Sequence, residues 1–130
     1  MLLLSYLILL LLPVLVKAII GGKEVSHPHK YPWIVGIYGE SWQCGGSIIS
    51  EDVILTAAHC VGNAKNEAEI VVQMGHSNAE EGTFLKVKSV LIHPDYNPFN
   101  KSKLNDIALL RVNESLVFNN SVQPIGKSNL

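Results

Sequence analysis

The chain has 130 residues, 48% of them hydrophobic and 16% charged, with a formal net charge of -1. That length bounds it to one domain. Neither a basic patch nor an acidic run stands out, which argues against nucleic acid as a partner.

Residues 1–18 are a different material from the rest. Leu2 to Val16 is almost wholly apolar, broken only by Ser5, Tyr6 and Pro13. The run is shorter than the roughly 20 apolar residues that usually span a membrane. Val16-Lys17-Ala18 ends it with an apolar residue three before the cut and a small one just before it, which suits signal peptidase. No Lys or Arg precedes the run, so its only positive charge is the amino terminus. We expect residues 1–18 to be a secretory signal rather than an uncleaved anchor. The mature chain would then be residues 19–130, secreted, extracellular and without a stable membrane anchor.

Ile19-Ile20-Gly21-Gly22 opens that mature part with two β-branched residues on a flexible glycine pair. By itself it reads as an ordinary strand start with a turn. His27 and His29, one residue apart in a polar approach with no third ligand beside them, read as a solvated loop. Tyr31-Pro32-Trp33 leads into Ile34 to Tyr38, which has strand composition, and Gly39-Glu40-Ser41 turns the chain. Trp42 to Ser50 is the second strand. Its Gly45-Gly46 pair is costly there unless another backbone approaches closely. Ser47 has neither G-x-S-x-G nor G-D-S-G-G around it and is a poor nucleophile.

Val53-Ile54-Leu55 is a short strand running into Thr56-Ala57-Ala58-His59-Cys60. Two alanines are small enough for a tight turn that presents His59 at the strand's end, and a helical turn over Ala57 to Val61 should follow. A lone histidine in apolar surroundings is more often structural than catalytic. Neutral imidazole, however, titrates near neutral pH and can take and return a proton. Ile70 to Met74 is a strand, and Leu85, Val87 and Ser89 alternate with Lys86 and Lys88 as the start of another that runs to Ile92. His93-Pro94-Asp95-Tyr96 ends it as a turn. After a polar loop, Asp106 heads the apolar run Ile107 to Val112. A carboxylate there is either an ordinary strand cap or a partly buried group that needs partners. Asp52 and Asp95 sit in turn-like contexts. Strands this short and frequent, with no long helix or internal repeat, argue for an all-β barrel.

Cys44 and Cys60 are the only cysteines. In an oxidising compartment they read as one disulfide, whose loop of roughly 15 residues contributes about 3 kcal/mol in the chain-entropy view. The rival is a metal site built from Cys44, His59 and Cys60. It lacks a fourth ligand and the tight pairs zinc usually uses, so no metal is expected. Asn100-Lys101-Ser102, Asn113-Glu114-Ser115 and Asn119-Asn120-Ser121 are glycosylation candidates in a secreted chain.

Taken together, Thr56-Ala57-Ala58-His59-Cys60 resembles the histidine motif of the trypsin/chymotrypsin-like serine proteases. Asp106-Ile107-Ala108-Leu109 resembles the family's aspartate motif, and Cys44-Gly45-Gly46 its segment beside the active site. His93-Pro94-Asp95-Tyr96 is similar to a recurrent turn of the family, and Val122-Gln123-Pro124-Ile125 to the segment leaving its first barrel. The resemblance covers residues 19–130. It implies an all-β fold, an antiparallel six-stranded barrel that is the first of the family's two. It implies that His59 is the general base, that Asp106 orients and stabilises it, and that Cys44 bonds to Cys60. It makes Ile19 the activated N-terminus. The family usually has Arg or Lys just before that residue, whereas in this chain Ala18 stands there with Lys17 one earlier. Signal peptidase itself is then expected to expose Ile19. Some relatives bind calcium in the loop after Gly75. His76 stands where an acidic ligand would be expected, so no calcium and no other cofactor is expected.

The likeness reaches only the first half of the family's catalytic domain. The nucleophilic serine, oxyanion hole and specificity pocket belong to the other half. The expectation is a secreted trypsin-like serine endopeptidase, represented by a fragment or truncated form that is inactive alone. Protein or peptide substrates would require the second barrel, and the face that meets it should expose apolar side chains. The alternatives are a secreted, non-catalytic, protease-homologue binding module and one part of a split enzyme.

Overall fold

In the computed structural model, the described residues are 21–126 except positions 24, 26, 28, 63, 65 and 77–80. The expected signal over 1–18 and the expected N-terminus at Ile19 lie outside them. The strands are β1 (Ile34–Tyr38), β2 (Gln43–Ile48), β3 (Val53–Thr56), β4 (Val71–Met74), β5 (Thr83–Ile92) and β6 (Ala108–Val112). They close into an antiparallel barrel in the order β1-β2-β3-β6-β5-β4. A one-turn helix, α1 (Ala58–Val61), follows β3, and a 3-10 turn covers Glu67–Glu69. Among the described residues no helix is long and apolar enough to cross a membrane.

Side-chain alternation decides which face is inside. β1 buries Val35 and Ile37, β3 buries Ile54 and Thr56, and β6 buries Ala108, Leu110 and Val112. Ile54 stands opposite Ile48 on one side and Leu110 on the other. All three are 0% exposed and form the centre of the core. β5 carries a register shift between Val87 and Ser89, which lets one ten-residue strand serve both β4 and β6.

The ends of the expected elements differ by one or two residues. β2 is shorter than the run Trp42 to Ser50, α1 starts at Ala58, and β5 begins at Thr83 rather than Leu85. Asp106 does not begin a strand. Asn105 takes a left-handed conformation with φ 57°, Ile107 N–H donates to its carbonyl, and pairing starts at Ala108. Gln73 lies in an apolar run, yet it is a buried polar residue, 4% exposed. Its amide oxygen accepts from the Tyr38 hydroxyl at 3.0 Å, and its amide nitrogen donates to the Glu81 carbonyl.

The glycine pair divides into a required residue and a free one. A Cβ on Gly46 would lie 2.8 Å from the Leu55 carbonyl oxygen and 2.9 Å from Ile37 and Ile54 side-chain atoms. On Gly45 the nearest atom is the Val35 carbonyl oxygen at 3.9 Å. Gly46→Ala is therefore expected to destabilise the barrel by about 1–3 kcal/mol, with Gly45→Ala costing clearly less. Urea midpoints of the two variants check this.

Candidate active site

Strand pairing explains why His59 and Asp106 meet. Thr56 at the end of β3 faces Ala108 at the start of β6. Three residues past one and two before the other, both side chains come to the same end of the barrel. Thr56 is buried and its hydroxyl donates to the Gly45 carbonyl at 2.9 Å, tying the exit of β3 to β2. Ala57 stays extended, Ala58 is fully buried, and His59 falls in the first turn of α1. First-turn N–H groups have no partner within a helix. The His59 N–H donates instead to Asp106 Oδ1 at 2.8 Å. The second carboxylate oxygen, Oδ2, lies 2.7 Å from His59 Nδ1.

One carboxylate thus grips both the backbone and the ring of His59. The imidazole side chain is 54% exposed and that of Asp106 is 16% exposed. An ionised carboxylate only accepts hydrogen bonds. Nδ1 must then carry the proton of the neutral ring, and Nε2 keeps its lone pair. Nε2 lies 3.6 Å from Cys60 Sγ. That sulfur is bonded to Cys44, so it has no proton to offer.

The backbone hydrogen bond from His59, and after it the ring contact, hold the Asp106 carboxyl below its ordinary value of 3.8. A carboxyl depressed in the folded state stabilises the fold above the unfolded value. That contribution fades as pH falls through the lowered folded value. Wild type is therefore expected to lose more thermal stability than Asp106→Asn between about pH 5 and pH 2. Melting curves at the two pH values check the sign.

The Cys44–Cys60 disulfide is present, with Cα atoms 6.1 Å apart, and links β2 to α1. It pins the histidine turn to that strand. Asp52 is a poor rival for His59, because it pairs with Arg111 at 2.8 Å. His93 serves its turn: its Nδ1 accepts from the Asp95 N–H at 3.1 Å. Glu81 pairs with His76 at 3.0 Å, beside positions that lie outside the described residues. Asn100, Asn113 and Asn119 are all exposed. Asn100 Oδ1 accepts from the Ser102 hydroxyl at 2.7 Å, and Asn119 Oδ1 from the Ser121 N–H at 2.8 Å.

Large apolar side chains are exposed at several places. Phe99 (92%), Leu104 (61%) and Ile107 (43%) lie on the loop that delivers Asp106. Val25, Tyr31 and Ile34 line a separate open cavity of about 500 Å³ together with His27, His29 and His76. Neither His59 nor Asp106 is part of it.

The protein-family model described as Trypsin matches residues 19–129. The clotting factor G beta subunit of Tachypleus tridentatus is 34% identical over 120 residues, covering 87% of this chain and 38% of its own length. Cathepsin G of Mus musculus is 38% identical over 115 residues, covering 82% of this chain and 41% of its own. Among solved structures, the scabies mite inactivated protease paralogue S-D1 superposes with a TM-score of 0.75 at 30% identity, over 86% of this chain and 47% of that one. Neuropsin, a serine protease of mouse brain, superposes with a TM-score of 0.71 at 29% identity, over 86% and 49%. The chain thus spans about two fifths of the length of these curated relatives. With one barrel closed around its core and half a catalytic domain matched along nearly its whole length, the chain belongs to the trypsin family.

Proposed function

We propose that this chain supplies the general base of a secreted trypsin-like serine endopeptidase. The observation that carries the reading is the double grip of Asp106 on His59, which leaves Nε2 free. In the complete enzyme Nε2 takes the proton of a serine hydroxyl as it attacks the peptide carbonyl, and returns it to the leaving amine. Asp106 holds the tautomer and stabilises the imidazolium between those steps. The serine, the oxyanion hole and the specificity pocket would come from the second barrel. No G-D-S-G-G occurs in this sequence, so the chain by itself is expected to be inactive.

Residues 1–18 act as the export signal in this reading, and the disulfide fits an oxidising compartment. Ile19 becomes the inserted N-terminus once exposed. Asn100, Asn113 and Asn119 take glycans, and the substrates are proteins or peptides. The other reading is a secreted binding module that kept the barrel. A neighbour described as an inactivated protease paralogue shares the architecture, so the barrel by itself does not favour catalysis. The intact His59–Asp106 pair does, because a binding role makes no use of a free Nε2.

Sequencing the native transcript past the codon for Leu130 tests the reading. An in-frame G-D-S-G-G is expected, together with a longer product that a serine-directed phosphonate labels. The chain of residues 19–130 should not label. A genuine stop with no serine loop on any partner chain would contradict the peptidase and leave the binding module.

A further inference from the structure

Two of the chain's three phenylalanines stand directly before a sequon asparagine, Phe99 before Asn100 and Phe118 before Asn119. Phe99 is the barer ring, 92% exposed against 43% for Phe118. A ring so open to water forgoes the burial that stabilises aromatic side chains. Asn97-Pro98-Phe99-Asn100 is a turn, in which the Asn100 N–H donates to the Asn97 carbonyl at 3.1 Å. The Asn97 side chain accepts from the Phe99 N–H at 2.9 Å and fixes that turn. A strand throws consecutive side chains to opposite faces, whereas a turn does not. Asn100 Oδ1 accepts from the Ser102 N–H at 3.0 Å and from the Ser102 hydroxyl at 2.7 Å. A backbone N–H only donates, so the atom turned inward is the oxygen. Asn100 Nδ2 makes no hydrogen bond among the described residues, and the side chain is exposed.

We propose that Asn100 carries an N-glycan whose first sugar lies on the Phe99 ring. The donor is a lipid-diphosphate-linked oligosaccharide headed by N-acetylglucosamine. Nδ2 bonds to the anomeric carbon of that sugar and gives up one proton to solvent. The bond from the same carbon to the diphosphate oxygen breaks, and the lipid diphosphate leaves. A pyranose ring presents a face of C–H groups and a rim of hydroxyls. The C–H groups are partly positive and suit the negative face of an aromatic ring. The hydroxyls stay in water, so a bare ring becomes polar surface.

Asn113 is the built-in comparison. It is exposed as well, but the residue before it, Val112, is 3% exposed and ends β6. No ring stands beside that asparagine for a sugar to cover. The Phe99 turn belongs to the loop that delivers Asp106, where Lys103 and Asn105 hold left-handed conformations that side chains adopt at a cost. A sugar clamped across Phe99 and Asn100 restrains this loop from its outer side. The inference rests on the export and glycosylation in the proposed function, and not on catalysis.

The full chain, residues 1–130, is expressed in cultured animal cells, collected from the medium, and its glycans are trimmed to one N-acetylglucosamine each. Peptide mass spectrometry is expected to find that sugar on Asn100. In proton spectra the ring current of Phe99 should move the protons of this sugar upfield, and Phe99→Ala should return them to their ordinary positions. Asn100→Gln should lower Tm by about 4 °C, but by less than about 1 °C when Phe99 is already alanine. Asn113→Gln, which removes a sugar with no ring beside it, should change Tm by less than about 1 °C. Unshifted sugar protons, an exported chain with Asn100 bare, or an Asn100→Gln loss that is the same with and without Phe99 would overturn the sugar seat and leave the export reading standing. A loss at Asn113 equal to that at Asn100 would do the same. A chain kept inside the cell without sugar would overturn both.

Discussion

In a product that carries both barrels, Asp106→Asn is expected to leave the barrel folded while lowering kcat by about 10⁴-fold, the size of this change in the family's triad. The cause is a reversed hydrogen bond. Asparagine's amide oxygen can still accept the backbone N–H of His59, as Asp106 Oδ1 does at 2.8 Å. The other arm is then an NH2 group facing Nδ1, where Oδ2 now sits at 2.7 Å. An amide N–H donates, so Nδ1 must accept, and the neutral ring moves its proton to Nε2. The lone pair that would take the serine proton is gone, although every atom stays near its place. The check is kcat against pH for the variant in that product. A loss below about tenfold would mean that the carboxylate does not set the tautomer.

Ile54→Ala is expected to remove about 2–5 kcal/mol of stability. Whole domains are stable by only about 5–15 kcal/mol, so this single change should put the barrel near unfolding. Ile54 is fully buried and paired with Ile48 and Leu110, both also fully buried. Strands on both sides hold its backbone, so the cavity cannot collapse easily. Leu91 is the matched control. It lies on β5 with 66% of its surface exposed, and truncation there should cost within about 0.5 kcal/mol. Urea unfolding separates the two through the midpoint, with the slope unchanged. Equal midpoints would show that the centre of the core lies elsewhere.

Much of this is legible in the sequence because the signals are local. Composition in β1, apolar runs in β3 and β6 and alternation over Leu85 to Ser89 in β5 announce strands, and two alanines before His59 announce a tight presentation. The glycine pair announces a close backbone approach, although only Gly46 needs it. What pairs with what is not local. β3 lies against β6, and β1 closes the barrel against β4, across long stretches of chain whose register is set only when the core forms. That Gln73 is buried has no sequence signal, because its hydrogen-bond partner Tyr38 lies on another strand. The start of β6 is hard to place because Asn105 tolerates a left-handed conformation without requiring one, and the turn is fixed only when His59 and Ile107 claim the surrounding polar groups. The ring contact of His59 with Asp106 follows from the family likeness. The backbone contact has no sequence signal at all.

The central claim is that His59 carries its proton on Nδ1, facing Asp106, with Nε2 bare. Long-range proton–nitrogen correlation spectra of the imidazole, recorded on the chain of residues 19–130 near neutral pH, read the tautomer directly. We expect the Nδ1–H form in wild type and the Nε2–H form in Asp106→Asn. An Nε2–H ring in the wild-type protein, or spectra that do not change when the carboxylate is removed, would contradict it.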